Sequence, residues 1–281
     1  MMSKLVSKVA FTFLVMSASF LTASEPTVQV TTQPAQSKLG LVRDFMIDAM
    51  TLEYMGNRPV SSEIDQRIRK ILEQAGIEDV ENVRVRRFSA LAMRENACVI
   101  EVFGVRYVYV DEDWFVKLSI EEQEFIIAHE TMHLKHKHVN TRIRNAIAVL
   151  LLPIVIKEVL KVVSDKYQIA SIGMDKVYRD FLIDMGSVGL QFICIFNLFK
   201  HARSQELEAD REAAKLLNNT NGGKAFFQAL GEYYKQVESQ LSQQDFLKKK
   251  RAFFAKLFAT HPAPEDRIKA LSYLEEQSIT A

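Results

Sequence analysis

From Ser119 to Leu152 the chain contains neither glycine nor proline, and Pro153 is the first breaker. The stretch opens with Ser119-Ile120-Glu121-Glu122. Serine at an N-cap and glutamate three residues on form a reciprocal capping pair, so the spacing predicts a helix starting at about Ile120. That helix must carry Ile126-Ile127-Ala128-His129-Glu130-Thr131-Met132-His133-Leu134-Lys135-His136-Lys137-His138, with four of the six histidines in the chain.

On a helix, residues four apart lie one above the other. His129 and His133 therefore share a face, and two imidazoles at that spacing can hold one zinc ion at about 2.0–2.1 Å each. Glu130 follows the first of them, where a carboxylate can act as base on water at the metal. His136 is two turns from His129, about 10 Å along the axis. His138 is farther and faces elsewhere. Neither is expected to bind the metal: both are either solvated, on a basic surface that includes Lys137, or partners of the ligands.

A catalytic zinc site needs a third protein ligand. His201 and several carboxylates supply candidates, the best being Ala202-Arg203-Ser204-Gln205-Glu206-Leu207-Glu208-Ala209-Asp210. No breaker falls between Ser187 and Leu217 beyond Gly189, so Glu206 and Asp210 share a helix face. Glu206 can bind zinc while Asp210 accepts the N–H of a ligand histidine. The same run also fits a solvated acidic helix.

Around this centre, Ser62 to Ala75 keeps helical apolar spacing (Ile64, Ile68, Ile71, Leu72, Ala75) and Gly76 is the expected end. Asn82 to Phe88 alternates, and Cys98 to Val110 is rich in β-branched and aromatic residues, with Gly104 at a hairpin position. A small antiparallel sheet is the expectation. Two apolar stretches, 146–156 and 185–199, are short of the roughly 20 residues of a membrane span. They predict an inserted helical hairpin, at about 145–200, packed on the core, either alone or also in contact with a membrane surface.

Residues 1–24 read as an export signal or an uncleaved anchor: Lys4 and Lys8, an apolar run from Val9 to Leu21, then Thr22-Ala23-Ser24. Residues 25–39, with two prolines, read as a tether. The body is then expected outside the cytoplasm, in a bacterial periplasm or on a membrane. Cys98 and Cys194 are the two cysteines, and two buried free thiols are expected over a disulfide. A net charge of +1 over 281 residues gives no field for nucleic acid, and no phosphate-cradling or CxxC motif occurs.

His129-Glu130-Thr131-Met132-His133 followed by Arg203-x-x-Glu206-x-x-Ala209-Asp210 resembles the HtpX, CAAX-prenyl-protease and Oma1-type zinc metallopeptidases. Asn96-Ala97, His138 and Thr260-His261-Pro262 with Arg267-Ile268 match that family's other segments, over about residues 60 to 275. The resemblance implies an α+β, mainly helical, zincin-like catalytic domain spanning 40–281. It implies one Zn2+ on His129, His133 and Glu206, Glu130 as base, and Asp210 and Arg203 supporting the ligands. It further implies an endopeptidase of misfolded or membrane-associated proteins, with substrate bound as an extended strand along an edge within Cys98 to Val110. His261 is expected either to donate to the oxyanion or to occupy the metal as a latch. A proteolytically silent, zinc-binding chaperone or assembly factor of the cell envelope, on the same fold, is the alternative. Met132 and Ala202 depart from the family pattern, and Met132 is expected to crowd the site.

Overall fold

Ile64, Ile68, Ile71 and Leu72 recur at helical spacing, and all four are buried on one side of helix α1 (Ser62–Gln74). The helix ends as a Schellman turn: Gly76 N–H donates to Glu73 O and Ile77 N–H to Leu72 O. The computed structural model describes residues 58–88, 97–102, 104–166, 175–241 and 261–280. The expected signal, the tether and residues Asn96 and Thr260 lie outside the described residues.

After α1 come β1 (Arg84–Arg87), β2 (Ala97–Val102), β3 (Val105–Val110), α2 (Glu112–Phe115), α3 (Ile120–Lys135), α4 (His138–Lys166), α5 (Lys176–Leu217), α6 (Asn221–Leu241) and α7 (Pro264–Thr280). The architecture is α+β and mainly helical. Two compact units result, one drawing on 58–139, 208–231 and 264–280, the other on 140–207, 232–241 and 261–263.

In the first unit the three strands order β1-β3-β2. β2 and β3 pair antiparallel about Gly104, whose φ of 79° suits a tight turn that a side chain would strain. β1 pairs parallel with β3, so the sheet is mixed, not purely antiparallel. Alternation alone does not encode the direction of a strand. β1 also takes a bridge from Arg58, which leaves β2 as the open edge among the described residues.

One sheet face, with Val85, Val99, Val108 and Val110, joins Ile68 and Leu72 of α1, Phe125 to Ala128 of α3, Phe227 and Leu271 in a single core. Phe125 and Phe227 meet edge to face at 5.7 Å between ring centres, a geometry contributing ~0.5–1.5 kcal/mol beyond area burial. The other sheet face carries a smaller cluster of Phe88, Tyr107 and Tyr109.

Helix α3 starts as expected. Glu122 N–H donates to Ser119 Oγ and Ser119 N–H to Glu122 Oε2, a complete capping box. Its end is different. The expected single helix to Pro153 breaks at His136-Lys137, where Lys137 adopts φ 52°. No glycine or proline marks that break, and the left-handed backbone there costs ~1–2 kcal/mol. Helix α4 then runs through Pro153 rather than stopping at it.

In the second unit α4 and α5 run antiparallel. Ser187 Oγ donates to Pro153 O at 3.2 Å, Lys157 and Lys161 lie 3.1 and 3.0 Å from Asp184, and Arg179 pairs with Asp165. The hairpin is present, but its apolar residues are not taken into a core. Leu151, Ile154, Val155, Phe181, Phe192 and Ile193 are exposed. Nor is the second arm short. α5 contains an 18-residue window long and apolar enough to cross a membrane, none of it buried. Asp184 and Lys200 bound the apolar run in sequence without breaking the helix.

Candidate metal centre

Helix α3 is buried on most sides from Gln123 to Leu134, and His129 and His133 lie on its inner face. Their Nε2 atoms converge to 3.1 Å, with the rings at 83° to each other. Two nitrogens bound tetrahedrally at about 2.05 Å from one ion would stand about 3.3 Å apart. The pair therefore fits a shared cation.

Each ring turns its Nδ1 away from that point and onto a partner. His129 Nδ1 lies 2.9 Å from Asp210 Oδ1. His133 Nδ1 lies 2.9 Å from His138 Nδ1. Asp210 is fully buried and is gripped by Arg267, Nε to Oδ2 at 2.7 Å and Nη2 to Oδ1 at 2.6 Å. Burial works to raise the Asp210 pKa, but the hydrogen bonds from His129 and Arg267 prevail and hold it below its ordinary value.

Glu206 stands one turn before Asp210 on the unbroken helix α5 and is 1% exposed. Its Oε1 accepts from Arg142 Nη2 at 2.7 Å, and its Oε2 lies 2.7 Å from His261 Nδ1. His129, His133 and Glu206 each offer one ligand atom, all within 4.8 Å of one another. Two imidazoles and a carboxylate are a donor set suited to zinc. His201 is outside it: the residue is exposed, with Nε2 3.2 Å from Gln205 Nε2.

Glu130 Oε1 lies 4.0 Å from His129 Nε2, so its carboxylate borders the convergence point. Its Oε2 accepts from Val99 N–H at 3.1 Å, which places the open-edge strand β2 directly beside it. Cys98 is the neighbour of Val99 on that strand. Burial and the charge of Glu130 push its thiol well above the ordinary range, and both Cys98 and Cys194 are free.

Two placements differ from the sequence expectation. His138 does not face elsewhere: it is 4% exposed and touches His133, because the Lys137 break returns the chain towards α3. His136 does stay exposed, at the end of α3. Met132 does not crowd the centre. It packs with Ala75 and Ala209 in a small apolar cluster. Arg203 is half-buried, three residues ahead of Glu206, and Arg142 sets a guanidinium on the Glu206 carboxylate.

Arg142, the contact of His138 with His133 and the pairing of Arg267 with Asp210 escape a reading of the sequence. Arg142 carries no signal, being one basic residue among several on a helix. Arg267 had one, the Arg-Ile pair after His261-Pro262, without an indication of what it binds.

A mainly helical α+β scaffold that brings HExxH histidines to a carboxylate on a second helix defines a metallopeptidase. A family model described as peptidase family M48 matches residues 60–275. The chain belongs to that family. No curated protein matches it.

Proposed function

We propose that this protein is a zinc-dependent endopeptidase that cleaves polypeptides presented as an extended strand beside β2. The observation that carries this reading is the approach of His129, His133 and Glu206 to a common point, with Glu130 at its border. A zinc ion there supplies Lewis-acid polarisation of the scissile carbonyl and of the attacking water.

The remaining chemistry belongs to the chain. Glu130 takes a proton from the water as its oxygen bonds to the carbonyl carbon, and passes that proton to the amine nitrogen as the C–N bond breaks. Asp210 accepts the Nδ1 proton of His129 and so leaves Nε2 bare for the metal. Arg142 occupies Oε1 of Glu206, and Oε2, which lies against His261, is the oxygen available to the centre. Substrate main chain extends the sheet at the open edge of β2, where Val99 is already oriented by Glu130.

His261 is assigned as donor to the developing oxyanion, from its seat against Glu206. Hydrolysis by His261→Ala separates this role from that of a latch. A fall of ~10²–10³ in kcat fits the donor, a rise fits a latch, and no change removes both.

The exposed apolar sides of α4 and α5 support contact with a lipid bilayer, with membrane-associated or misfolded proteins as substrates. Export to a periplasm belongs to the same proposal. Metal analysis tests the centre: the reading requires one zinc per chain, and loss of that zinc in His133→Ala. A wild-type chain that takes up no zinc overturns it, and one that binds zinc yet cleaves nothing favours a silent binding protein.

A further inference from the structure

His138 is the buried histidine that the proposed reaction does not use. It sits at the start of α4, immediately after Lys137 with its φ of 52°. A non-glycine residue in that conformation persists where surrounding contacts determine it. The contacts here are specific: His138 Nδ1 lies 2.9 Å from His133 Nδ1, and His138 Nε2 lies 3.5 Å from Glu208 Oε2.

The proton positions follow from the geometry. His133 turns Nε2 towards His129 Nε2 and the centre. A neutral imidazole that ligates through Nε2 carries its proton on Nδ1. Two ring nitrogens 2.9 Å apart share one proton, so His138 Nδ1 is the bare acceptor. The proton of His138 then lies on Nε2, the atom that faces the Glu208 carboxylate. Because its Nδ1 meets the far side of the His133 ring, His138 is no member of the ligand set.

We infer that His138, backed by Glu208, is the positioning residue for His133, fixing the tautomer and ring orientation that present Nε2 to the metal. This rests on the metal-centre reading above and extends it. It gives the two ligand histidines unlike supports: a buried carboxylate for His129, and an imidazole leading to a half-exposed carboxylate for His133. The irregular joint between α3 and α4 is then the feature that delivers the second support, since an unbroken helix would carry residue 138 away.

The test is the zinc affinity of the full chain, by competition with a chromophoric chelator, for wild type, His138→Ala and His138→Asn. Asparagine offers its side-chain oxygen near the position of Nδ1 and restores the acceptor; alanine does not. Loss of such a support weakens metal binding ~10–100-fold, and that is the expected result for alanine, with asparagine close to wild type. His138→Leu, which fills the volume without an acceptor, replaces the alanine variant if that one does not fold. Wild-type affinity in the alanine or leucine variant overturns the inference. So does an asparagine variant as weak as alanine, since the loss would then be one of packing. A wild-type chain that binds no zinc overturns the metal centre itself, a result distinct from either.

Discussion

Arg267 and Asp210 form a two-pronged ion pair in the interior, with bonds of 2.7 and 2.6 Å and side-chain exposures of 9% and 0%. The Arg267 guanidinium also lies 4.0 Å from the centre of the Phe227 ring. Removing one partner of such a pair leaves a buried charge uncompensated, at a cost of ~3–5 kcal/mol. Arg267→Leu is therefore expected to lower unfolding free energy in urea by about that amount. Arg267→Lys recovers only part, because an ammonium cannot form the paired geometry. Unchanged stability in the leucine variant contradicts this role.

Ser119 caps the helix that carries His129 and His133. Its hydroxyl and the Glu122 carboxylate satisfy each other's backbone amides at an exposed site. Ser119→Ala should cost ~1 kcal/mol of stability while leaving hydrolysis per folded molecule unchanged. Thermal unfolding alongside a kinetic assay at a temperature well below the transition checks both parts.

Gly222 allows the first turn of α6 to press on the first turn of α3. A Cβ added there would fall 2.2 Å from the Glu121 carbonyl oxygen, which is backbone and cannot swing aside. Gly222→Ala should destabilise the fold by ~1–3 kcal/mol, the usual cost of overpacking. A thermal midpoint equal to that of wild type would show that the two helices separate freely.

Phe192 and Ile193 are 63% and 61% exposed on α5, within the apolar hairpin. A charge placed in a membrane-embedded helix costs ~2.5–3.5 kcal/mol. If the hairpin meets a bilayer, Phe192→Asp should weaken cosedimentation with phospholipid vesicles by about tenfold or more, without loss of the folded state. Equal cosedimentation of variant and wild type argues that this face serves another partner.

What the sequence disclosed was local. The capping box at Ser119, the turn at Gly104 and the end of α1 each depend on a few neighbouring residues, and each stands where it was expected. Matters settled by distant contacts were not readable. The direction of β1 depends on its pairing with β3. The break at Lys137 has no local breaker, so His138 looked remote when it is buried against His133. Arg142 resembles any surface arginine until α4 brings it to Glu206. The apolar stretch of α5 reads in sequence as ending at the charges Asp184 and Lys200, whereas the helix carries its apolar surface past such single charges.

The most direct test of the account compares the zinc-loaded wild-type chain with Glu130→Gln on an unfolded protein substrate. The account predicts cleavage by wild type, with a loss of ~10²–10⁴-fold in the variant and zinc still bound in both. Equal cleavage by the two chains, or silence of the zinc-loaded wild type and of His261→Ala alike, would contradict it.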